Sequence, residues 1–489
     1  MARLMSARTL AVIGCAGAVA CTKDVRVLSG PKAAPGGPRI AAMSAANLSS
    51  PAGTGRHIVS FSAAAPGDFA AQVTALGGTV LWVSPSTGLA AVSGLQGSAP
   101  ATLAGRKGIQ AVDADQSVAL VVPRVSGATR VASDALDSPG NPALAFFFGL
   151  QWNMLAVRAD AAWAAGFLGS PNVSVFILDS GIDYLHFDLL NLVDRSRSID
   201  LLGTFSVGGT PFTERDTVAK YFGPAREAFS DLLFHGTLVA SQVSSRGFVT
   251  AGVTSRTTLV AVKVCAYINA CPFSSVLGGV IYAADHGADV INLSLGGGFS
   301  KAGNGRFVGL INKVFNYARS RGVTVVVAAG NEATDLNHDG NTYETYCSAP
   351  AVICVSATGP TAQASDFGPW TDVDAPAFYT NFGRSAIDVA APGGNNDSFV
   401  WGACSQTSRI PDLADCAQAP FFVVGAEGTS LAAPHVSGAA ALLVSVFGRH
   451  PSQVKARLQQ SADAVAGNGT SPFYGKGRLN VSRALGVLP

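Results

Sequence analysis

Val173-Ser174-Val175-Phe176-Ile177-Leu178-Asp179-Ser180-Gly181 runs large apolar residues at odd and even positions alike, directly into a carboxylate and a glycine turn. Successive side chains of a strand point to opposite sides, so a run that is apolar on both parities predicts a strand buried on both faces. Runs of the same kind recur at Leu259–Val264, Val290–Leu295, Val323–Ala328 and Val352–Ala357. Helical patterns alternate with them, at His235 to about Ser245, Ser275–His286, Arg306–Arg321 and Ser430–Phe447. This alternation predicts an α/β fold with a mostly parallel central sheet and helices on both faces. In open sheets of this kind ligands meet the carboxyl ends of the strands, which makes Asp179 a candidate site residue.

Two further segments carry chemistry. His235-Gly236-Thr237 opens a helix, and Gly428-Thr429-Ser430 opens an Ala-rich one, placing a hydroxyl where a helix N-terminus favours developing negative charge. Taken singly, an aspartate after a strand or a serine before a helix is what a turn or cap also shows. Together they stand in the chain order Asp, His, Ser, each in its own glycine context.

Phe176-Ile177-Leu178-Asp179-Ser180-Gly181-Ile182-Asp183, followed by His186-Phe187-Asp188-Leu189, resembles the aspartate motif of the subtilisin-like serine peptidases (subtilases). His235-Gly236-Thr237-Leu238-Val239-Ala240 resembles the family's histidine motif, and Gly428 to Gly438 its serine motif. The departures are Phe187 for the usual proline, Leu238 where a second histidine is common, and Leu431 for methionine, a swap that conserves volume. The resemblance runs from about Gln151 to Val481 and implies a subtilisin-like fold with the triad Asp179, His235 and Ser430. Ala328-Ala329-Gly330-Asn331 resembles the segment whose asparagine donates to the oxyanion, which implies that role for Asn331. Ser294-Leu295-Gly296-Gly297 resembles the edge that pairs with substrate backbone, and with Ala329 and Gly330 is expected to wall the specificity pocket. Glu332 is expected near the mouth of that pocket, favouring cationic side chains.

Triad chemistry needs no cofactor. Calcium enters as a candidate structural ion, because Asp335-Leu336-Asn337-His338-Asp339-Gly340-Asn341, with Glu344 as a further oxygen donor, resembles a calcium loop. Tyr346 holds the twelfth place, where a glutamate is expected, and a solvated polar loop is the alternative reading. Asp188 matches a family calcium ligand, yet the stretch Ser244 to Ser255 is too short to complete that site.

Upstream, residues 56–122 alternate short strands and helices and resemble the family's inhibitory propeptide, notably at His57-Ile58-Val59-Ser60-Phe61 and Leu76-Gly77-Gly78. Residues 22–55 read as a flexible linker, 123–150 as a linker carrying the processing site, and 151–489 as the catalytic domain. Residues 1–21, with Arg3 and Arg8 ahead of an apolar run from Leu10 to Ala20, read as a secretory signal too short to span a bilayer. Val12-Ile13-Gly14-Cys15 and Ala18-Val19-Ala20-Cys21 both resemble a lipoprotein processing box, so a lipid anchor at Cys21 or Cys15 and ordinary signal cleavage both stand. The location expected is secreted or cell-envelope. Six later cysteines suit an oxidising compartment, and pairing between neighbours, Cys265 with Cys271, Cys347 with Cys354 and Cys404 with Cys416, is expected because it closes short loops.

With 33 basic against 31 acidic residues, a net charge of +2 and only 13% charged residues, no nucleic-acid partner is expected. The partners expected are protein or peptide substrates and the chain's own propeptide, with the protein a monomer. The competing reading is a catalytically inactive subtilisin-fold binding protein on the cell surface; such a scaffold is expected to have lost a triad or oxyanion residue, and none is missing.

Overall fold

Alternation along the first strand sets how the two parts of the molecule meet. The computed structural model describes residues 55–120, 124–130, 141–207, 210–296, 298–344, 346–467 and 469–487. The expected signal with Cys15 and Cys21, nearly all of the 22–55 linker, part of the 123–150 linker and Gly297 lie outside the described residues. The N-terminal module comprises β1 (His57–Phe61), α1 (Phe69–Ala75), β2 (Thr79–Ser84), β3 (Leu89–Ser93), α2 (Ala99–Ala104) and β4 (Ile109–Ala114). Its antiparallel sheet has the order β2-β3-β1-β4. Val59 and Phe61 face Phe69, Val73 and Leu103 in the module's own core, whereas Ile58 and Leu89 point the other way and join the core of the large domain. The small sheet is thus covered on both faces only while the module is docked.

Polar contacts fix that docking. Arg56 and Asp115, both buried, meet Ser274, whose backbone N–H and hydroxyl both donate to the Asp115 carboxylate. Trp82 Nε1 donates to the Ser274 carbonyl at 3.0 Å, and its ring lies over Gly278, where a Cβ would stand 2.5 Å from the indole nitrogen. Only a glycine admits so close an approach. Beyond the module, β5 (Ser117–Ala119) pairs antiparallel with Ala270–Pro272. The linker expected over 123–150 is only partly irregular: β6 (Arg124–Arg130) pairs with Phe422–Glu427, and Phe147 and Leu150 are buried in the main core. An open strand edge offers unpaired N–H and C=O groups, and β6 satisfies them.

The large domain is built on seven parallel strands: β7 (Ser174–Asp179), β8 (Ile199–Asp200), β9 (Thr258–Lys263), β10 (Val290–Leu293), β11 (Thr324–Ala328), β12 (Val352–Thr358) and β13 (Val389–Pro392). Their order is β13-β12-β11-β10-β7-β9-β8. From β7 the chain goes to the edge strand β8, returns to insert β9 between the two, then crosses to β10 on the other side of β7, so the order reverses at the carboxyl end of β7. All six residues of β7 are buried, and each large apolar side chain removed from water there stabilises the fold by about 1.5–3 kcal/mol.

Two helical layers cover the sheet. α3 (His235–Val243) packs on α6 (Thr429–Phe447), while α4 (Phe273–Asp285) packs on α5 (Gly305–Ser320); α7 (Pro451–Ser461) follows α6. α6 is long and apolar enough to cross a bilayer, but 83% of its apolar window is buried by the surrounding chain, as in the core helix of a globular domain. The β14 (Val400–Ala403) and β15 (Phe422–Glu427) hairpin leads into it and carries β6 on its edge. The three disulfides are Cys265–Cys271, Cys347–Cys354 and Cys404–Cys416, the neighbour pairing expected.

Candidate active site

At the carboxyl end of β7, Asp179 Oδ1 accepts the Ser180 N–H at 2.7 Å and lies 2.8 Å from His235 Nδ1, with both side chains fully buried. A carboxylate can only accept, so Nδ1 carries the proton and Nε2 is left as the free basic nitrogen. His235 is the first residue of α3, and that first turn sits hard against the β7 turn: a Cβ on Gly236 would lie 2.1 Å from the Gly181 carbonyl oxygen.

Ser430 is the second residue of α6. Pro434, four residues on, has no N–H to bond the Ser430 carbonyl, and the Ser294 hydroxyl takes that place at 2.6 Å. Ser294 is held in turn by Asn292, and Asn292 by Ser437. The Ser294 side chain therefore braces the helix that carries Ser430. Ser430 Oγ, His235 Nε2 and Asp179 Oδ2 are all buried, with no hydrogen-bond partner among the described residues. The carboxylate–imidazole link is formed, and the expected hydroxyl–imidazole bond is not made; such bonds are often long before substrate arrives.

Asn331 follows β11. Its Oδ1 accepts both the Thr429 N–H at 2.9 Å and the Thr429 hydroxyl at 2.8 Å. Two donors on one atom identify it as the oxygen and leave Nδ2 with its protons to give. Asn331 and Thr429 line one cavity with Ser430, Gly296, Glu332 and Leu120. Ser294 and Gly330 line it too, while Leu295 and Ala329 are fully buried and do not; Gly297 lies outside the described residues. Glu332 is exposed as a residue, but its carboxylate turns back onto Asn381, where Oε2 accepts the amide at 2.7 Å. Desolvation there holds the Glu332 pKa above the usual glutamate range.

The residues resembling a calcium loop do not converge. Asp339 is paired with Lys301, Asp335 with His338, and Asn337 with Ser385, while Asn341 holds Ala302 and Ser300. The Glu344 carboxylate lies instead beside Gly298. At Asp188, Oδ1 accepts the Val249 N–H, and Oδ2 accepts the Thr250 N–H and hydroxyl at 2.9 Å. These donors occupy the lone pairs a cation needs, so neither place fits calcium, and among the described residues no cluster of His, Cys, Asp or Glu could hold a metal.

Sequence reasoning missed Thr429 as the residue that orients Asn331, though it stands inside the Gly-Thr-Ser triplet. It also missed Asn381, whose Oδ1 accepts the Glu332 and Thr334 N–H groups and whose Nδ2 donates to the Ala329 carbonyl, bracing the segment that carries Asn331. No local pattern marks Asn381.

Comparison with known proteins bears on the family and the fold. The profile of the Subtilase family matches residues 170–477. Thermitase of Thermoactinomyces vulgaris is 29% identical over 355 residues, covering 71% of this chain and 99% of thermitase. Subtilisin amylosacchariticus of Bacillus subtilis subsp. amylosacchariticus is 30% identical over 342 residues, covering 68% of this chain and 71% of that protein. Among solved structures, the epidermin leader peptide processing serine protease of Staphylococcus aureus shares the fold with a TM-score of 0.65 at 22% identity, over 88% of this chain and 98% of that one.

Proposed function

Since the chain belongs to the subtilase family of serine peptidases, we propose that it is a secreted or lipid-anchored endopeptidase, made as a self-processing zymogen, with Asp179, His235 and Ser430 as its triad. The observation that carries this reading is the buried 2.8 Å contact between Asp179 and His235, which leaves Nε2 basic. Ser430 and an Asn331 amide aimed by Thr429 share one cavity.

Peptide-bond hydrolysis in this family draws on the chain's own groups, with no cofactor. Ser430 Oγ attacks the scissile carbonyl carbon, and His235 Nε2 takes the hydroxyl proton as the carbonyl π electrons move onto oxygen. Asn331 Nδ2 and the Ser430 N–H receive that oxyanion. Collapse breaks the C–N bond, with His235 returning the proton to the leaving amine. Water then attacks the acyl-enzyme by the same route in reverse, and Asp179 holds the tautomer and stabilises the imidazolium throughout.

The zymogen reading has its own support. Leu120, buried, lies at the cavity that holds Ser430, and its N–H donates to the Asn269 carbonyl as β5 pairs with Ala270–Pro272. An extended segment that reaches the candidate nucleophile is arranged as an acyl donor would be, which favours self-cleavage directly after Leu120, just ahead of the linker expected to carry it. Residues 56–120 then act as the inhibitory module docked on α4. The test is hydrolysis of casein by the purified protein with and without Ser430→Ala, with intact mass to locate the cut. The wild type is expected to digest casein and lose its N-terminal module, and the alanine variant to do neither; equal activity from both sinks the assignment.

A further inference from the structure

Asp231 takes no part in the chemistry above, yet five hydrogen bonds converge on its fully buried carboxylate. Oδ1 accepts the Ser180 hydroxyl at 2.8 Å and the Leu233 and Phe234 N–H groups, both at 3.0 Å. Oδ2 accepts the N–H and the hydroxyl of Thr237, at 2.9 and 2.7 Å. The first N–H groups of any helix need partners outside it, normally from a Ser, Thr, Asp or Asn at the N-cap. Here the N-cap is Phe234, which has no capping oxygen. Asp231, three residues earlier, supplies it to Thr237, and the Ser180 hydroxyl that donates to Asp231 in turn accepts the Gly236 N–H at 3.0 Å.

Phe234 also stands at φ 139°, a region that favours glycine, with its ring fully buried. Such a conformation persists only where the surroundings over-determine it. The surroundings are Asp231 on the Leu233 and Phe234 amides and the Ser408 hydroxyl on the Leu233 carbonyl. Ser180 and Phe234 are the immediate neighbours of Asp179 and His235 in the chain, so Asp231 ties together the two backbones whose side chains meet.

We propose that Asp231 is a positioning residue: by gathering the first turn of α3, the strained Phe234 amide and the Ser180 hydroxyl, it fixes His235 against Asp179. The inference rests on the triad reading above. The test compares the full-length wild type with Asp231→Asn, nearly isosteric but unable to accept at both former oxygens, and with Ser180→Ala, which leaves the carboxylate and cuts only the bridge to Gly236. The readouts are kcat and KM on a chromogenic peptide, expressed per folded molecule from near-ultraviolet circular dichroism. Asp231→Asn is expected to lower kcat about tenfold or more, and Ser180→Ala about threefold or more, with KM within about twofold, because loss of alignment acts on the chemical step. A role in fold stability alone lowers the folded fraction and leaves kcat per folded molecule unchanged. A kcat within twofold of wild type in either folded variant, or a loss carried by KM, overturns the proposal; should Asp231→Asn not fold, Ser180→Ala decides. Ser430→Ala is run beside them. If it is inactive while both variants keep their kcat, only this inference falls; if it matches wild type, the triad reading itself falls.

Discussion

Replacing Asn331 by alanine isolates one donor from the rest of the site. Thr429 anchors the Asn331 oxygen through its N–H and its hydroxyl, at 2.9 and 2.8 Å, so the amide cannot turn over without breaking two hydrogen bonds, and Nδ2 is held ready for the oxyanion. Negative charge reaches the substrate oxygen only in the transition state, so the loss belongs in kcat and not in KM. One donor of this kind contributes about 3–4 kcal/mol, and Asn331→Ala is expected to lower kcat about 100- to 1000-fold. The Ser430 N–H stays in place, so activity remains well above that of Ser430→Ala. Thr429→Val removes one of the two anchors and keeps the backbone one, so a smaller loss, about fivefold to tenfold, is expected from partial loss of aim. The assay is steady-state hydrolysis of a chromogenic peptide on fully processed enzyme. An Asn331→Ala variant within tenfold of wild type in kcat, beside an inactive Ser430→Ala, refutes the placement of the oxyanion.

Two predictions concern stability and are best measured in the Ser430→Ala background, where self-digestion is absent. Burial pushes His435 down to about 4 from the ordinary 6.5; its Nδ1 faces the Leu431 carbonyl and its Nε2 takes the Asn153 amide. Between pH 6.5 and 4 the unfolded chain therefore binds a proton that the folded chain does not, and stability falls as pH drops through that window, by about 3 kcal/mol for this group. In His435→Gln that increment disappears, so urea unfolding at pH 6.5 and pH 4 should show the two proteins diverging by this amount; parallel pH dependence refutes the account. Because Asp188 and the loop from Asp335 to Asn341 spend their oxygens on protein donors, a calcium chelator is expected to shift Tm by no more than about 2 °C, and a rise above about 5 °C with added calcium overturns that expectation.

What could be read from the chain follows from the range of the forces involved. Ser174–Asp179 was legible because burial on both faces makes its whole run apolar, and the runs later seen as β9 to β12 were found within two residues for the same reason. β13, Val389–Pro392, was missed: two alanines and a proline carry little strand preference, and pairing with β12 on one side and residues 475–479 on the other makes it a strand. β6 was read as linker because its partner, Phe422–Glu427, lies far along the chain and nothing in Arg124–Arg130 encodes that edge. The calcium-like loop shows the converse, a local pattern of oxygens that distant partners such as Lys301 disperse.

The Gly428-Thr429-Ser430 triplet shows where that boundary falls within a single motif. Its glycine stands at the N-cap of α6 and its serine carries the chemistry, both local facts, so they could be recognised in place. The second function of Thr429 is to aim Asn331, 98 residues upstream, and that depends on β11 ending beside the start of α6. Asp231 is the same case in a shorter loop: four of its five donors come from residues 233–237, a span any turn could contain, and the fifth, Ser180, arrives from β7. The groups that react are fixed by local chemistry, and the groups that aim them are fixed by where strands end, so the second set becomes visible only when the sheet is assembled.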